Sequence, residues 1–311
     1  MKNKSTLILG GVFLLLVVIF LFTSLHPKEV TRGATPLFKG QTPVIDKLEL
    51  LNPRGDNIVL EKQNEVWSIT KPVAYKASPE VITQVLEGFN GVMIDGVVTS
   101  DPNEKSRFGV EDSTAVRLKV SGGGKTVLDI LIGRYAPDLS HTYVRKYGKN
   151  DIELWRGIFA RTVNREIDEW RDKSIFSFNE GDITSVKVSD GKNTRQLTLS
   201  DSTWTYAENG KQKPVDQAKV KEYVSLIATL KCDAFAAEED IPRAASNKPD
   251  TQVSFTVRNG DTHTFDLWTP KKDSDNKRTL LRKTGGDILF QFYENRGEQL
   301  PMNYEKMKQV G

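Results

Sequence analysis

A set of landmarks that returns after about 137 residues constrains the fold of this chain more than any other feature. Trp67 of NEVWSIT and Trp204 of DSTWTYA are 137 apart, as are Val116 and Val253, Asp129 and Asp266, and the pairs Arg145-Lys146 and Arg282-Lys283. Asp95 and Asp233 are 138 apart, and Asp151-Ile152 and Asp287-Ile288 are 136 apart. Landmarks kept in order at nearly one offset imply two copies of a whole domain, because solenoid repeats are shorter, about 20–50 residues. A chain of 311 residues fits that reading, being long for a single domain.

Each copy reads alike. Lys47–Leu50 and Ile58–Glu61 flank the turn Asn52-Pro53-Arg54-Gly55-Asp56, and Val186–Val188 and Gln196–Leu199 flank Ser189-Asp190-Gly191-Lys192, so both open as hairpins. A helix follows the Trp strand: Ser78 caps it with Pro79 at its first position, and Asp216 starts its counterpart. Val81, Ile82, Val85, Leu86 and Phe89, and then Val220, Tyr223, Val224 and Ile227, repeat at helical spacing. Val116, Leu118 and Val120, like Val253, Phe255 and Val257, alternate with polar residues as half-buried strands do. Phe159, Val163, Ile167 and Trp170 predict an amphipathic connecting helix packed at the domain junction.

Before the repeats, Leu7–Leu25 is a run of nineteen residues without a charge. As a helix it covers about 28 Å, close to the roughly 30 Å of a bilayer's hydrocarbon. The run is longer than a signal peptide's core and lacks a small-x-small cleavage site after it, which predicts an uncleaved signal anchor contacting the lipid bilayer. Lys2 and Lys4 favour an inward N-terminus, which places the rest in the periplasm or outside the cell, on a single pass of a bacterial cytoplasmic membrane. The expected fold is therefore α+β: a transmembrane helix, then two tandem domains, each an antiparallel sheet with one principal packed helix. The predicted bounds are 1–6 cytoplasmic, 7–25 anchor, 26–43 linker, 44–155 first domain, 156–181 connecting helix and linker, and 182–311 second domain.

Composition removes several chemistries. Lys+Arg of 44 against Asp+Glu of 41 gives a net charge of +3 without a basic block, which speaks against nucleic acid as a partner. One Cys excludes an internal disulfide and lipidation near the anchor, and three His leave little material for a metal centre. Gly122-Gly123-Gly124-Lys125-Thr126 ends like a phosphate loop, but Lys119 stands where that pattern needs Gly, and the loop joins two strands. Asp273-Ser274-Asp275-Asn276 lacks the later Gly and Glu of a calcium loop, and Ser189-Asp190-Gly191-Lys192 sits in a turn, not at a helix start. No catalytic residue, metal site or cofactor is expected. His141 and His263 predict hydrogen-bonded or solvent-facing side chains, and Cys232 a buried one.

The residues that both copies keep are the candidates for a site. Asp129 and Asp266, with Arg145 and Arg282, predict ion pairs or cross-strand contacts inside each domain, with a ligand site as the other reading. Trp67 and Trp204 predict core aromatics, unless they stack on a glycan or peptide at a sheet rim.

The ordered features LELLNPRGDNIVLEKQNEVWSITKPV, DPNEKSRFGV, the strand ending in ILIG at Gly133, YVRK and the WRDKSIF of Trp170–Phe176 resemble the bacterial family called domain of unknown function 4340. The resemblance covers roughly residues 44 to 300, and the second copy lacks a clear counterpart of Phe108-Gly109 and of the ILIG ending. It implies a membrane-anchored envelope protein that accompanies ABC-type transporters related to gliding motility, with an ABC permease and ATPase as partners. It brings no catalytic residue. The expected function is a non-enzymatic accessory or binding subunit of such a complex. The alternative is a free-standing binder of peptidoglycan or polysaccharide, with an envelope hydrolase as a third reading.

Overall fold

The computed structural model describes residues 33–309, with Phe13 and Leu15, except 41, 54, 56, 158, 237–239, 247 and 271–276. It contains two compact units, Met1–Asp172 and Lys173–Gly311. In the first, ten strands form one sheet: β1 (Thr35–Pro36), β2 (Lys47–Leu51), β3 (Ile58–Gln63), β4 (Val66–Lys71), β5 (Tyr75–Lys76), β6 (Met93–Thr99), β7 (Val116–Gly122), β8 (Lys125–Tyr135), β9 (His141–Lys146) and β10 (Ile152–Arg156). They lie in the order β1-β6-β10-β9-β8-β7-β2-β3-β4-β5. Alternation sends Leu48, Leu60, Leu118, Val120, Ile130 and Val144 to one face, where Ile82, Val85 and Phe89 of the Pro79–Gly91 helix complete a core with Trp155 and Trp170. The Ser78 hydroxyl caps that helix by accepting from the Val81 N–H, and Pro79 fills its first position.

The second unit has nine strands: β11 (Ile183–Ser189), β12 (Thr194–Ser200), β13 (Thr203–Glu208), β14 (Lys211–Lys213), β15 (Ala234–Phe235), β16 (Thr251–Val257), β17 (Thr262–Trp268), β18 (Thr279–Lys283) and β19 (Leu289–Phe292). Their order, β15-β19-β18-β17-β16-β11-β12-β13-β14, repeats the first sheet strand for strand from β6 to β5. The Gln217–Ala228 helix, capped by Asp216, packs on β11 and β13 and buries Val220, Val224 and Ile227. The likeness extends to how each unit is closed. The N–H of Ser78 donates to Trp170 O at 2.8 Å, and that of Asp216 to Met307 O at 2.8 Å. Ala77 bridges Arg171 as Val215 bridges Lys308. The Leu37 N–H meets Val92 O at 3.0 Å, and the Ile175 N–H meets Leu230 O at 2.8 Å.

Strands hold 43% of the structure and helices 21%, so the fold is mostly β, and the α+β expectation is corrected. The reason lies in segments whose pattern hides their pairing. Gly96 and two register shifts against β10 break the alternation of β6, and β1, β5, β14 and β15 are only two or three residues long. The predicted connecting helix is two short ones, Phe159–Val163 and Ile167–Trp170, separated by Asn164-Arg165-Glu166. Both pack against the Pro79–Gly91 helix of their own unit. Thr35–Phe38, inside the expected 26–43 linker, likewise belongs to the first unit, with Leu37 and Phe38 packed on its core. The N-terminal transmembrane helix of that expectation is also corrected: no helix among the described residues is long and apolar enough to cross a membrane. Leu7–Leu25 lies outside those residues apart from Phe13 and Leu15.

Candidate functional site

The scattered motifs of the first copy converge at one place on the face of its sheet opposite the core. The short helix Lys105–Phe108 ends at Gly109, whose φ of 71° is left-handed, and this turns Val110 down onto the sheet. Phe108, Val110 and Ile152 form a small second core with Tyr143, whose ring meets Phe108 edge-on at 4.5 Å. Gly133 lies beneath: a Cβ there would stand 2.4 Å from Phe108 O and 2.9 Å from Tyr143 O. Arg145 is 1% exposed. Its guanidinium donates to Val110 O (2.9 Å), Lys149 O (2.7 Å) and Asp112 Oδ2 (2.9 Å), so a buried charge fixes the segment that covers it. Asp129 is not its partner. Arg117 grips Asp129 through two hydrogen bonds of 2.7 Å and lies flat on Tyr147, 3.3 Å from the ring centre.

The second unit builds the same place with other residues. Arg145 lies opposite Leu131 and Arg282 opposite Asp266, so Asp266 occupies the position of Leu131 and not that of Asp129. Asp266 accepts from the Gln252 amide at 3.0 Å, and Arg282 lies over Trp268 at 5.1 Å. The small outer core here is Ala244, Trp268 and Leu280. Thus Trp268 fills what Gly133 leaves open, and Ala244 stands where Phe108 is large. Sizes are exchanged across one contact, as close packing requires. This explains why the second copy shows no Phe-Gly and no ILIG.

A second constellation, which spacing alone does not reveal, joins β6, β9 and β10. Asp95 accepts from Arg156 at 2.7 and 3.3 Å and faces His141 Nε2 at 2.7 Å. His141 Nδ1 meets Asp138, whose other oxygen caps the Ser140 and His141 N–H groups at 3.1 and 3.2 Å. A general base needs a nitrogen open to substrate. Both nitrogens of this imidazole face carboxylates, so the group acts as a latch between the hairpin tip and β6. In the second unit Asp233 accepts from Arg296 and from the Tyr293 N–H, which makes the Asp–Arg latch a feature of both copies.

Burial works against the charge on Asp95, but hydrogen bonds from Arg156 and His141 outweigh it and hold the carboxyl below its ordinary value of 3.8. A carboxyl depressed on folding adds stability above its unfolded value, and this is lost as pH falls through the folded one. Asp95→Asn is therefore expected to flatten the loss of stability on acidification below about pH 4, read as urea midpoints against pH; an unchanged slope would show that the latch adds nothing.

The remaining candidates are structural in their surroundings. Trp67 is 8% and Trp204 5% exposed, both in the cores, so neither offers a ring face to a ligand. Gln217 holds Trp204 by both its backbone groups, at 2.8 and 2.9 Å. His263 packs among Phe176, Phe178 and Phe255, and Cys232 is buried. The glycine loop is a hairpin tip whose Gly123 N–H donates to Asp46 at 2.8 Å. Asp273–Asn276 lies outside the described residues, among which no group of His, Cys, Asp or Glu could hold a metal ion.

The second unit also has a concave surface along its helix. A half-open groove of about 350 Å³ runs between the exposed side of the Gln217–Ala228 helix and the segment Gln299–Met307. Leu226, Pro301 and Met307 give it an apolar floor beside the Tyr223 ring, and Lys219, Glu222 and Lys306 stand at its rim. Tyr223 donates its hydroxyl proton to Leu300 O at 2.8 Å, which ties the segment to the helix.

No curated protein and no solved structure matches the chain. The family model described as Domain of unknown function (DUF4340) matches residues 67–252, from the second residue of β4 to the second of β16 and thus across parts of both units. Since that match spans more than half of the 311 residues, the chain belongs to the DUF4340 family.

Proposed function

We propose that this protein is a non-enzymatic binding module, an accessory subunit of a cell-envelope transport complex of the ABC type. The observation that carries the binding part of the reading is the half-open groove of the second unit, an apolar floor with a charged rim, of a volume that binding pockets commonly have. The transport setting rests on the resemblance of the sequence, since the family's description names no activity. Elsewhere the charged groups at matching places engage one another, as Asp95 with Arg156 and Asp233 with Arg296, in the manner of side chains that hold a scaffold. The glycan-binding alternative loses support, because Trp67 and Trp204, the aromatics it relied on, are buried.

The test is affinity purification of the full-length chain from gently solubilised native cells, with mass spectrometry of what accompanies it. The expected result is stoichiometric recovery of an ABC permease and its ATPase. Recovery of the protein alone, under conditions that keep other envelope complexes intact, would contradict the reading.

A further inference from the structure

The two units supply a comparison that singles out the groove. The caps Ser78 and Asp216, and the bonds from their N–H groups to Trp170 O and Met307 O, fix which residues correspond. In the first unit Trp170 is fully buried and Ile167 packs beside it, against the core. In the second, Met307 replaces Trp170, and a bulky ring gives way to a thin, adaptable side chain. Lys306 stands in the place of Glu169, Lys219 in that of Val81, and half-buried Leu226 in that of Gly88. Met307 is the one smaller replacement; Leu226 and Lys219 are larger than their counterparts and, with Lys306, give the groove its apolar lining and basic rim.

The charge at the rim has a definite sign. Lys219 is paired with Glu222 at 3.0 Å, but both are exposed, and such a pair reorganises at little cost. Lys306 has no ion pair among the described residues, so the rim carries a net positive charge. Beside it on the same helix, a wider depression of about 620 Å³ shares Glu222 and Leu226 with the groove and adds Glu180 and Lys221, so the basic character belongs to the groove alone. The ridge between two hollows suits an extended or helical chain better than a compact ligand, because a chain can contact both flanks.

We propose that this groove is a docking site for an acidic segment of a partner protein, which seats an apolar side chain on Leu226, Pro301 and Met307 and sets its carboxylates against Lys219 and Lys306. This rests on the reading of the chain as a binding subunit and names the surface through which it acts. Charge complementarity sets the class of partner: a basic segment meets Lys306, and an uncharged one leaves the rim unanswered.

The experiment titrates the full-length protein with a fluorescent peptide rich in Glu and Leu, followed by anisotropy. The same peptide with Gln for Glu, and dodecanoate as a small amphipathic anion, serve as competitors. Leu226→Gly and Lys306→Glu install the residues of the first unit; Lys306→Glu alone, on an exposed side chain, keeps the test open if the double variant melts early. The expected result is saturable binding that weakens at least about tenfold in the double variant and falls with added salt. Equal affinity for the double variant, no saturable binding, or tighter binding of dodecanoate than of the peptide would overturn the proposal. The accessory reading is judged separately: permease and ATPase that accompany the double variant as they do the wild type would refute the groove and leave that reading standing. Neither recovered with the wild type would refute that reading.

Discussion

Replacement of Arg145 by Met is expected to destabilise the first unit by about 3–5 kcal/mol, whereas Arg282→Met, at the matching place in the second, costs about 1 kcal/mol or less. Both arginines sit on equivalent strands, and their surroundings set the difference. Arg145 is 1% exposed, and its guanidinium satisfies two backbone carbonyls, Val110 O and Lys149 O, that Met leaves without their donor. Asp112 is half exposed and returns to water at small cost, so most of the loss comes from the carbonyls and the detached segment 109–115. Arg282 is only partly covered and contributes a contact with the Trp268 ring. Urea unfolding of the full chain, followed through tryptophan fluorescence, separates the two variants. Equal losses would show that burial does not set the role of Arg145.

The second large effect concerns the exchanged sizes. Trp268→Gly is expected to cost at least about 3–5 kcal/mol, since it empties a site that is 2% exposed and lined by Ala244 and Leu280. Addition of Ala244→Phe, which gives the second unit the Phe and Gly of the first, should recover part of that loss, with a coupling of at least about 1 kcal/mol. Ala244→Phe alone, with Trp268 in place, is expected to destabilise by overpacking, about 1–3 kcal/mol. Additive effects in the urea midpoints of the three variants would mean that the two side chains do not share a space.

The duplication is legible in the sequence because Trp67 with Trp204, and Arg145 with Arg282, keep both their spacing and their strand positions. The match of Asp129 with Asp266 misleads by two residues. Leu50 pairs with Leu118 and Val188 with Val253, and Leu118 and Val253 then face Ile130 and Phe265, so the central hairpin of the second copy is offset against that of the first. A slip of one residue would turn apolar side chains outward and show in the pattern. A slip of two keeps every side chain on its face, so alternation cannot detect it. The Asp95 latch was hidden for another reason: its arginine lies 61 residues later, and that of Asp233 lies 63 later, beyond any local spacing. The groove was illegible because its lining comes from the Gln217–Ala228 helix and from the distant segment Gln299–Met307, and a Met where the twin has Trp leaves no motif.

Sequence also understated the extent of each unit. Thr35–Phe38 has no periodic run and read as tether, and the helical spacing of Phe159–Trp170 read as a connector at the domain junction, yet they close the first unit as Ser174–Phe176 and Tyr304–Lys308 close the second. Short strands and one-turn helices draw their stability from the core they cover rather than from local propensity.

The chain is two units of one fold, each held by its own core, with the division after Asp172. Hydrogen exchange on the full-length protein and on Arg145→Met, resolved by peptide mass spectrometry, tests it most directly. The expected result is that the variant loses protection across residues 35–172, with the β1 and Phe159–Trp170 peptides exchanging together with the sheet, while β11 to β19 keep their wild-type rates. Loss of protection through both units at once, or wild-type protection of Phe159–Trp170 while β7 to β10 open, would contradict it.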